Sequence, residues 1–410
     1  MSGSRRPGLT LGILTGFNVL NYLDRHVVSA VLTLIIADLH LSDRQAGSLA
    51  SIFMLAYLAV SPPVGWLGDR GRRIPLCAAG VVIWSLATFG SGLAPTFAVL
   101  LLARALVGVG EGSYTVVTPS LISDLYPSER RARALAIFYA AMPVGSALGY
   151  ILGGEIGHAF GWRTALFVAG GPGLLLALAF FFFSEPRRGQ LDPQAREAQK
   201  LSYIAALKAL RQRLSFWVNT AGQTVYTFAL GGLAAWMPTY FVRERGLAVD
   251  DAGRSFGLCL VLAGFIGTLV GGYWSDRLAK RYRGAHFTFS GVSLVASLPF
   301  TFVAVLASSP AIFWPAMFVT LLLVFLNTGP LNAAVVNVLP ADLRARGFAI
   351  HTLAIHLFGD AASPTLIGAA SDAVGLKLPV LITGLLLGAS GLVFILGRRT
   401  LVRDLEAPAL

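Results

Sequence analysis

The sequence predicts an all-α membrane protein with twelve transmembrane helices, arranged as two six-helix bundles with both termini in the cytoplasm. Three observations lead to this fold class: the abundance of apolar residues, their division into membrane-length segments, and a repeat that relates the two halves. Of the 410 residues, 55% are hydrophobic and only 13% are charged. Soluble domains carry roughly 25% charged residues, so this composition is typical of a chain that crosses a bilayer many times.

The twelve apolar segments are each long enough to span a bilayer, which takes about 20 residues. They lie at 9–36, 46–67, 74–94, 97–123, 132–158, 163–184, 214–241, 253–275, 286–307, 311–336, 346–370 and 376–397. Basic residues crowd alternate loops, with Arg243, Arg245 and Arg254 as exceptions. By the positive-inside rule, the basic loops and both termini face the cytoplasm. The net charge of +12 is therefore explained by basic residues in the cytoplasmic loops, and we expect no nucleic-acid partner.

The longest connector divides the segments six and six. We predict an N-terminal bundle over 1–184, a cytoplasmic linker over 185–213 that contains an amphipathic surface helix, a C-terminal bundle over 214–403 and a tail over 404–410. Cys77 and Cys259 lie in apolar segments. We expect both to be free, buried thiols without a disulfide framework.

The two halves repeat each other at matching loops. The hexapeptide Gly65-Trp-Leu-Gly-Asp69-Arg70 recurs as Gly272-Tyr-Trp-Ser-Asp276-Arg277, and the stretch from Pro127 to Ala136 recurs from Pro340 to Ala349. Internal duplication of this kind is expected of a six-plus-six transporter.

Two adjacent charges interrupt the first apolar segment, in the run Asn21-Tyr22-Leu23-Asp24-Arg25. Each charge costs roughly 2.5–3.5 kcal/mol at bilayer depth unless it is paired or faces water. The run therefore predicts a first helix that lines a polar cavity. The alternative is a purely structural ion pair.

The fourth helix carries a matching set of charges. Arg104, Gly108 and Glu111 follow the i, i+4, i+7 spacing of one helix face. We predict that Asp24, Arg25, Arg104 and Glu111 form one cluster facing the central cavity. Burial disfavours an ionised carboxylate and a nearby arginine favours it, so a balanced carboxylate can bind and release a proton. This makes Asp24 and Glu111 the proton-coupling candidates and the two arginines headgroup-binding candidates. The alternative is a permanently ionised latch between the helices.

The second half carries mostly neutral polar groups at membrane depth. The remaining candidate substrate-binding residues are Tyr114 on the fourth helix, Asn219, Gln223 and Tyr226 on the seventh, Asn332 on the tenth, and His351 and His356 on the eleventh. The alternative for the seventh-helix groups is hydrogen bonding between helices. His356 could pair with Asp360 one turn later, either as a structural pair or as a proton relay. The spacing of His351, His356 and Asp360 does not place them on one face, so we expect no metal site.

Two motifs resemble those of the major facilitator superfamily. Its loop motif between helices two and three is similar to Gly65-x-Leu-x-Asp69-Arg70-Gly71-Arg72-Arg73, which is one residue shorter than usual. Its fourth-helix motif is similar to Arg104-x-x-x-Gly108-x-Gly110. The candidate gating residues at the cytoplasmic helix ends are Asp69, Arg70, Arg72, Arg73, Asp276 and Arg277. The alternative is that these arginines only set the topology.

Three longer stretches resemble the Spinster family of lipid transporters within that superfamily. They run from Gly108 to Leu125, from Leu135 to Tyr150 and from His356 to Gly368. The resemblance implies a multi-pass transporter that moves a lysophospholipid or a sphingosine phosphate by alternating access. The headgroup would lie against the charged cluster, and the acyl tail along the apolar walls of the second half.

We therefore expect a monomeric, proton-coupled secondary transporter for a lysolipid-like amphiphile, surrounded by membrane lipid and without a cofactor. In a bacterium it would lie in the plasma (inner) membrane. The first alternative is a proton-coupled organic-anion symporter for sugar acids, because such proteins carry a similar first-helix run. A membrane lipid-modifying enzyme or sensor is a second alternative. No serine- or cysteine-centred catalytic motif accompanies the histidines, so we do not expect an enzyme.

Overall fold

The computed structural model describes residues 7–183, 185–186, 207, 210–339 and 341–406, and these are almost entirely helical. Eleven helices among them are long and apolar enough to cross a membrane. A twelfth span is formed if Pro7–Ala30 and Leu32–Leu39 are taken together, since they are bent by 53° at a short break. The predicted helical multi-pass membrane protein is therefore confirmed, while the cytoplasmic placement of the termini stays a prediction.

We number the spans α1 to α12. In the first half, α1 comprises Pro7–Ala30 and Leu32–Leu39, α2 is Asp43–Arg70, α3 is Arg73–Ser91, α4 is Phe97–Leu125, α5 comprises Ser128–Tyr139 and Ala141–Phe160, and α6 is Trp162–Ala177 followed by a 3₁₀ turn at Leu178–Phe182. In the second half, α7 is Leu214–Arg245, α8 is Val249–Ala279, α9 is Ala285–Leu306, α10 comprises Pro310–Phe325 and Thr328–Val338, α11 comprises Ala341–Ile355, a π-helical turn at His356–Asp360 and Ser363–Val374, and α12 is Lys377–Glu406.

Local sequence signals explain several helix ends. Ser42 and Gln45 form a reciprocal capping box at the start of α2, which satisfies two backbone N–H groups that would otherwise lack partners. α5 ends at Gly161 and α11 ends at Gly375, with φ values of 85° and 79°. Glycine adopts this left-handed conformation at little cost, so it terminates helices efficiently.

The chain forms two compact units. The first contains Met1–Glu197 and Met237–Leu258, and the second contains Ala198–Trp236 and Cys259–Leu410. The end of α7 and the start of α8 thus belong with the first unit, which differs from a division strictly by bundle. Within the first unit α4 packs against α2 and α3, and α5 packs against α1; within the second, α9 packs against α10 and α12.

Two glycines of the fourth-helix motif determine how closely α4 approaches its neighbours. A Cβ atom on Gly108 would collide with the backbone carbonyl of Phe53 on α2, and one on Gly110 would collide with the backbone of Trp84 and Gly80 on α3. The motif therefore has a packing function, because it lets the charges of α4 lie within reach of the surrounding helices.

Some predicted regions fall outside the described residues or end elsewhere. Most of the predicted linker, including its amphipathic helix, lies outside them, as do residues 407–410. The tail expected from residue 404 begins later, because α12 continues to Glu406. Asp404 is buried and accepts hydrogen bonds of 2.7 Å from both the backbone N–H and the hydroxyl of Ser215. Both cysteines are free, with Cys77 buried and Cys259 partly buried.

Candidate functional site

The centre of the candidate site is an ion pair between α1 and α4. The Nε and Nη2 atoms of Arg25 donate to Oε2 of Glu111 over 3.3 and 3.0 Å. The side chain of Glu111 is fully buried, whereas 20% of the Arg25 side chain is exposed. The guanidinium also lies over the rings of Tyr22, Phe53 and Tyr57, at 4.8, 5.0 and 5.5 Å from their centres. Arg25 is therefore held by both charge and aromatic faces while part of it stays accessible.

Asp24 turns in a different direction, because consecutive residues of an α-helix are rotated by about 100° around its axis. Its carboxylate is buried and its Oδ2 accepts a hydrogen bond of 3.1 Å from the hydroxyl of Thr88 on α3. The other oxygen, Oδ1, has no hydrogen-bond partner among the described residues. α1 thus directs Arg25 to a carboxylate on α4, and Asp24 to a neutral hydroxyl on α3.

Arg104 completes the charge set. It is 2% exposed, and its guanidinium lies 5.0 Å from the centre of the Phe53 ring. Its Nε and Nη1 atoms have no hydrogen-bond partner among the described residues. Arg104 interacts electrostatically with Glu111, Asp24 and Arg25. The four predicted residues therefore lie within electrostatic range of one another, and Arg25 is the one of the four whose side chain is partly exposed.

Tyr114 packs between helices in the buried interior of the first unit. Its ring is fully buried and lies 5.3 Å from that of Trp84, and its hydroxyl donates to the carbonyl of Leu14 over 2.5 Å. The residue ties α4 to α1. With no exposed surface and its hydroxyl occupied, we do not retain Tyr114 as a substrate-binding candidate.

The predicted polar face of α7 exists, and it packs against α10. Asn219 donates to the carbonyl of Leu331 over 2.9 Å, and Tyr226 donates to that of Val324 over 3.3 Å. Gln223 donates to the side-chain oxygen of Asn219 over 3.2 Å. The alternative expectation, hydrogen bonding between helices, therefore describes Asn219 and Tyr226, whereas Gln223 bonds within its own helix.

The remaining candidates of the second unit differ in exposure. Asn332 is exposed and donates to a carbonyl of its own helix. His351 is buried, with Nδ1 3.0 Å from the hydroxyl of Thr220 and no hydrogen-bond partner for Nε2 among the described residues. His356 is partly exposed, and its Nδ1 lies 3.0 Å from both carboxylate oxygens of Asp360. The predicted pair of His356 and Asp360 therefore forms, on the π-helical turn of α11.

Among the gating candidates, Arg73 lies in a buried network at the start of α3. Its guanidinium donates to Glu185, Asp124 and the carbonyl of Pro186, over 3.1, 2.5 and 3.0 Å. The backbone N–H groups of Arg73 and Ile74 also donate to Glu185. Partial burial acts to raise the pKa of Glu185, but these N–H groups and the guanidinium outweigh it and hold that pKa below its usual value.

The other gating candidates are exposed: Asp69, Arg70, Arg72, Asp276 and Arg277. Arg70 lies over the ring of Trp66, 4.3 Å from its centre. Sequence reasoning missed Glu185 and Thr88. A carboxylate just after a span is ordinary, and a threonine within a helix usually bonds its own backbone, so neither carries a signal.

Two of the three arginines that depart from the basic-loop alternation form ion pairs within the first unit. Arg243 donates to both carboxylate oxygens of Asp43 over 2.7 and 2.9 Å, and Nε of Arg254 donates to Glu155 over 2.7 Å. Pairing with acidic residues offers a reason for basic residues in a loop where topology alone does not expect them.

Residues 14–364 match the family model described as Major Facilitator Superfamily. The chain is 34% identical over 390 residues to Protein spinster homolog 1 of Xenopus tropicalis, and the alignment covers 90% of this chain and 74% of that relative. It is 35% identical over 387 residues to Protein spinster homolog 1 of Homo sapiens, with coverage of 90% and 73%.

Solved structures share the fold. A bacterial homolog to the human lysosomal transporter Spinster, in an inward-facing and unoccupied conformation, matches with a TM-score of 0.90 at 24% identity over the whole of both chains. A D-xylose-proton symporter matches with a TM-score of 0.77 at 16% identity, over 98% of this chain and 99% of the other. At these identities the likeness shows the fold alone.

Proposed function

The chain belongs to the major facilitator superfamily and, within it, to the Spinster family, and on this premise we propose that it carries a lysolipid or a sphingosine-phosphate-like amphiphile in a proton-coupled cycle. It is a membrane transporter, not an enzyme. One observation carries the proton coupling: Asp24 is a buried carboxylate whose one hydrogen-bond donor among the described residues is neutral, and it lies in electrostatic range of Arg104 and Glu111.

The charge balance of the cluster supports coupling between a proton and an anion. Arg25 and Glu111 neutralise each other in a direct ion pair. Arg104 and Asp24 balance in charge without a direct hydrogen bond between them. A proton on Asp24 therefore leaves the cluster with one excess positive charge, in a low-dielectric surrounding where that charge acts strongly. An anionic headgroup would then bind more tightly, and by linkage its binding would favour protonation.

Arg25 is the residue we assign to the headgroup. Its side chain is the one in the cluster that is partly exposed, and a guanidinium binds phosphate oxygens in a bidentate manner. The headgroup would compete with Glu111 for Arg25. Arg104, which is buried, would contribute its charge at a distance rather than by contact.

The second unit supports a substrate with an apolar end. Asn219 and Tyr226 of α7 donate to the backbone of α10, and Gln223 donates to Asn219. His356 and Asp360 are paired with each other. We propose that apolar side chains of this unit contact the acyl tail, that Asn219 and Tyr226 hold α7 to α10, and that Gln223 supports Asn219 within α7. We also propose that Asp69 and Asp276 make gating contacts. Both are exposed, at the ends of α2 and α8.

The test is transport by purified protein in proteoliposomes with an imposed pH gradient. Radiolabelled lysophosphatidylcholine and sphingosine 1-phosphate are the lipid probes, and glucuronate is the sugar-acid probe. We expect lipid transport that responds to the gradient and falls when a protonophore collapses it. Lipid transport that ignores the gradient would reject proton coupling. Saturable glucuronate transport without competition by lipid would reject the lipid substrate and support an organic-anion symporter.

A further inference from the structure

We propose that Thr88 on α3 is a positioning residue that sets how readily Asp24 takes up a proton. This role rests on the proton coupling proposed above. Thr88 is completely buried, and its hydroxyl lies 3.1 Å from Oδ2 of Asp24. Among the described residues it is the one group that donates a hydrogen bond to this carboxylate.

The hydroxyl of Thr88 departs from the pattern of its neighbours. Several buried or partly buried hydroxyl groups of α3 and α4 donate to a carbonyl one turn earlier in their own helix, namely those of Ser91, Ser113, Thr115 and Thr118, over 2.7–2.8 Å. Thr88 instead donates across to α1. Since an intrahelical acceptor is the usual partner of a helical threonine, the bond to Asp24 is a specific contact between two helices.

No other group near Asp24 takes over this role. Among the described residues, the charged groups that act on Asp24 are Glu111 and Arg104 from α4. Tyr22, Arg25 and His26 are its titratable neighbours along α1, and the ring of Tyr150 on α5 lies 4.9 Å from that of His26. α6 also packs against α1, but its one charged residue, Arg163, pairs with Asp38. The local hydrogen bond to the carboxylate thus comes from a neutral donor.

A donor hydroxyl stabilises the ionised form of a carboxylate more than the neutral form. The bond from Thr88 therefore favours release of the proton and leaves Oδ1 as the oxygen free to receive it. Removal of the hydroxyl would make Asp24 hold its proton more tightly. We expect the midpoint of its titration to move upward by about 1 pH unit, which is roughly a tenfold change in proton affinity.

The experiment compares Thr88→Val, which removes the hydroxyl at nearly constant shape, with Thr88→Ser, which keeps it. Thr118→Val is the matched control, because it removes a buried hydroxyl that bonds only its own helix and a nearby thiol. The full-length protein in lipid vesicles is titrated by infrared difference spectroscopy, and the carboxylic C=O band of Asp24 is identified by its loss in Asp24→Asn. Substrate transport against pH is measured in parallel.

We expect Thr88→Val to raise the midpoint of both measurements and to shift the C=O band to higher wavenumber, as a carboxyl group without its hydrogen bond does. Thr88→Ser and Thr118→Val should keep the wild-type midpoint. If Thr88→Val does not insert stably, Thr88→Ala makes the same test with a smaller side chain. A wild-type protein without an Asp24-dependent band would overturn the proton coupling itself. An unchanged midpoint and band in Thr88→Val, beside a titrating wild type, would overturn the role of Thr88 alone.

Discussion

The fourth and tenth spans lie at corresponding places in the two halves, yet they use their buried positions differently. The sequence offset that carries Pro127 onto Pro340 also carries Arg104 onto Met317 and Glu111 onto Val324. In the first unit these positions hold charges that interact with α1. In the second unit both are buried apolar residues, and the backbone carbonyl of Val324 accepts a hydrogen bond from α7.

At these positions α4 carries ionisable groups, whose charge a proton can change, and α10 carries apolar groups, which a proton does not affect. Charges at membrane depth are costly and require partners, so a change in the ionisation of one member alters the energy of the whole cluster. Neutral hydrogen bonds between helices contribute only about 0.6 kcal/mol each and do not respond to pH near neutrality. The comparison predicts that substitutions in the first unit change coupling, whereas equivalent polar substitutions in the second change stability slightly.

The largest effect is expected from Glu111→Gln. It leaves Arg25 without its carboxylate and gives the cluster an excess positive charge, which we expect to lower transport at least about tenfold and stability by roughly 3 kcal/mol. Transport is measured in proteoliposomes, and stability is measured as the thermal midpoint in detergent. The control is Glu155→Gln, whose pair with Arg254 is exposed and should contribute much less to stability, because water and salt screen it. Equal effects of the two substitutions would contradict the distinction.

The second-largest effect is expected from Asp24→Asn. The asparagine is permanently neutral, so the cluster keeps the charge it has when Asp24 is protonated. We expect substrate binding to persist and its pH dependence to flatten, measured by binding of lysophosphatidylcholine across a pH series. Asp38→Asn serves as the control because Asp38 forms an exposed pair with Arg163. A variant that keeps the wild-type pH profile would assign the proton to another group.

Loss of the Arg73 network should have an intermediate effect on stability. Because the pKa of Glu185 is held below its ordinary value of 4.5, its contribution is complete above pH 4.5 and is lost as the pH falls through the lowered pKa. Glu185→Gln should therefore lower the stability at neutral pH by about 1–3 kcal/mol, measured as a lower thermal midpoint. It should also make the thermal midpoint fall less as the pH is lowered into the acid range. Arg70→Gln, at an exposed position, should leave the curve unchanged; a shift of equal size there would argue against the network.

The smallest effect is expected from Asn219→Leu in the second unit. It removes the hydrogen bond to the carbonyl of Leu331, at a cost of about 0.6 kcal/mol, and should leave the pH profile of transport intact. Asn332→Leu, at an exposed position that bonds only its own helix, is the matched control. If Asn219→Leu abolished transport without loss of stability, Asn219 would return as a substrate-binding residue and the contrast between the units would fail.

Individual residues show how far prediction from sequence reached. Asp24, Arg25, Arg104 and Glu111 were identifiable because charge in a long apolar run is improbable without a purpose. The shared face of Asn219, Gln223 and Tyr226 followed from helical spacing, but its partner did not. Tyr114 lies within a family motif, and only its buried contact with Leu14 revealed a packing role.

The sequence by itself determined the helical spans, the duplication, the family and the set of buried charges. The spans and the buried charges follow from hydrophobicity and from helical periodicity, which are properties of residues close together in the chain. The duplication and the family follow from similarity between stretches of sequence. Only the tertiary structure decided that Arg25 pairs with Glu111, that Asp24 turns to Thr88 and that Arg73 binds Glu185. Such partners are set by how closely particular helices pack and how each is rotated about its axis, and no local pattern records either.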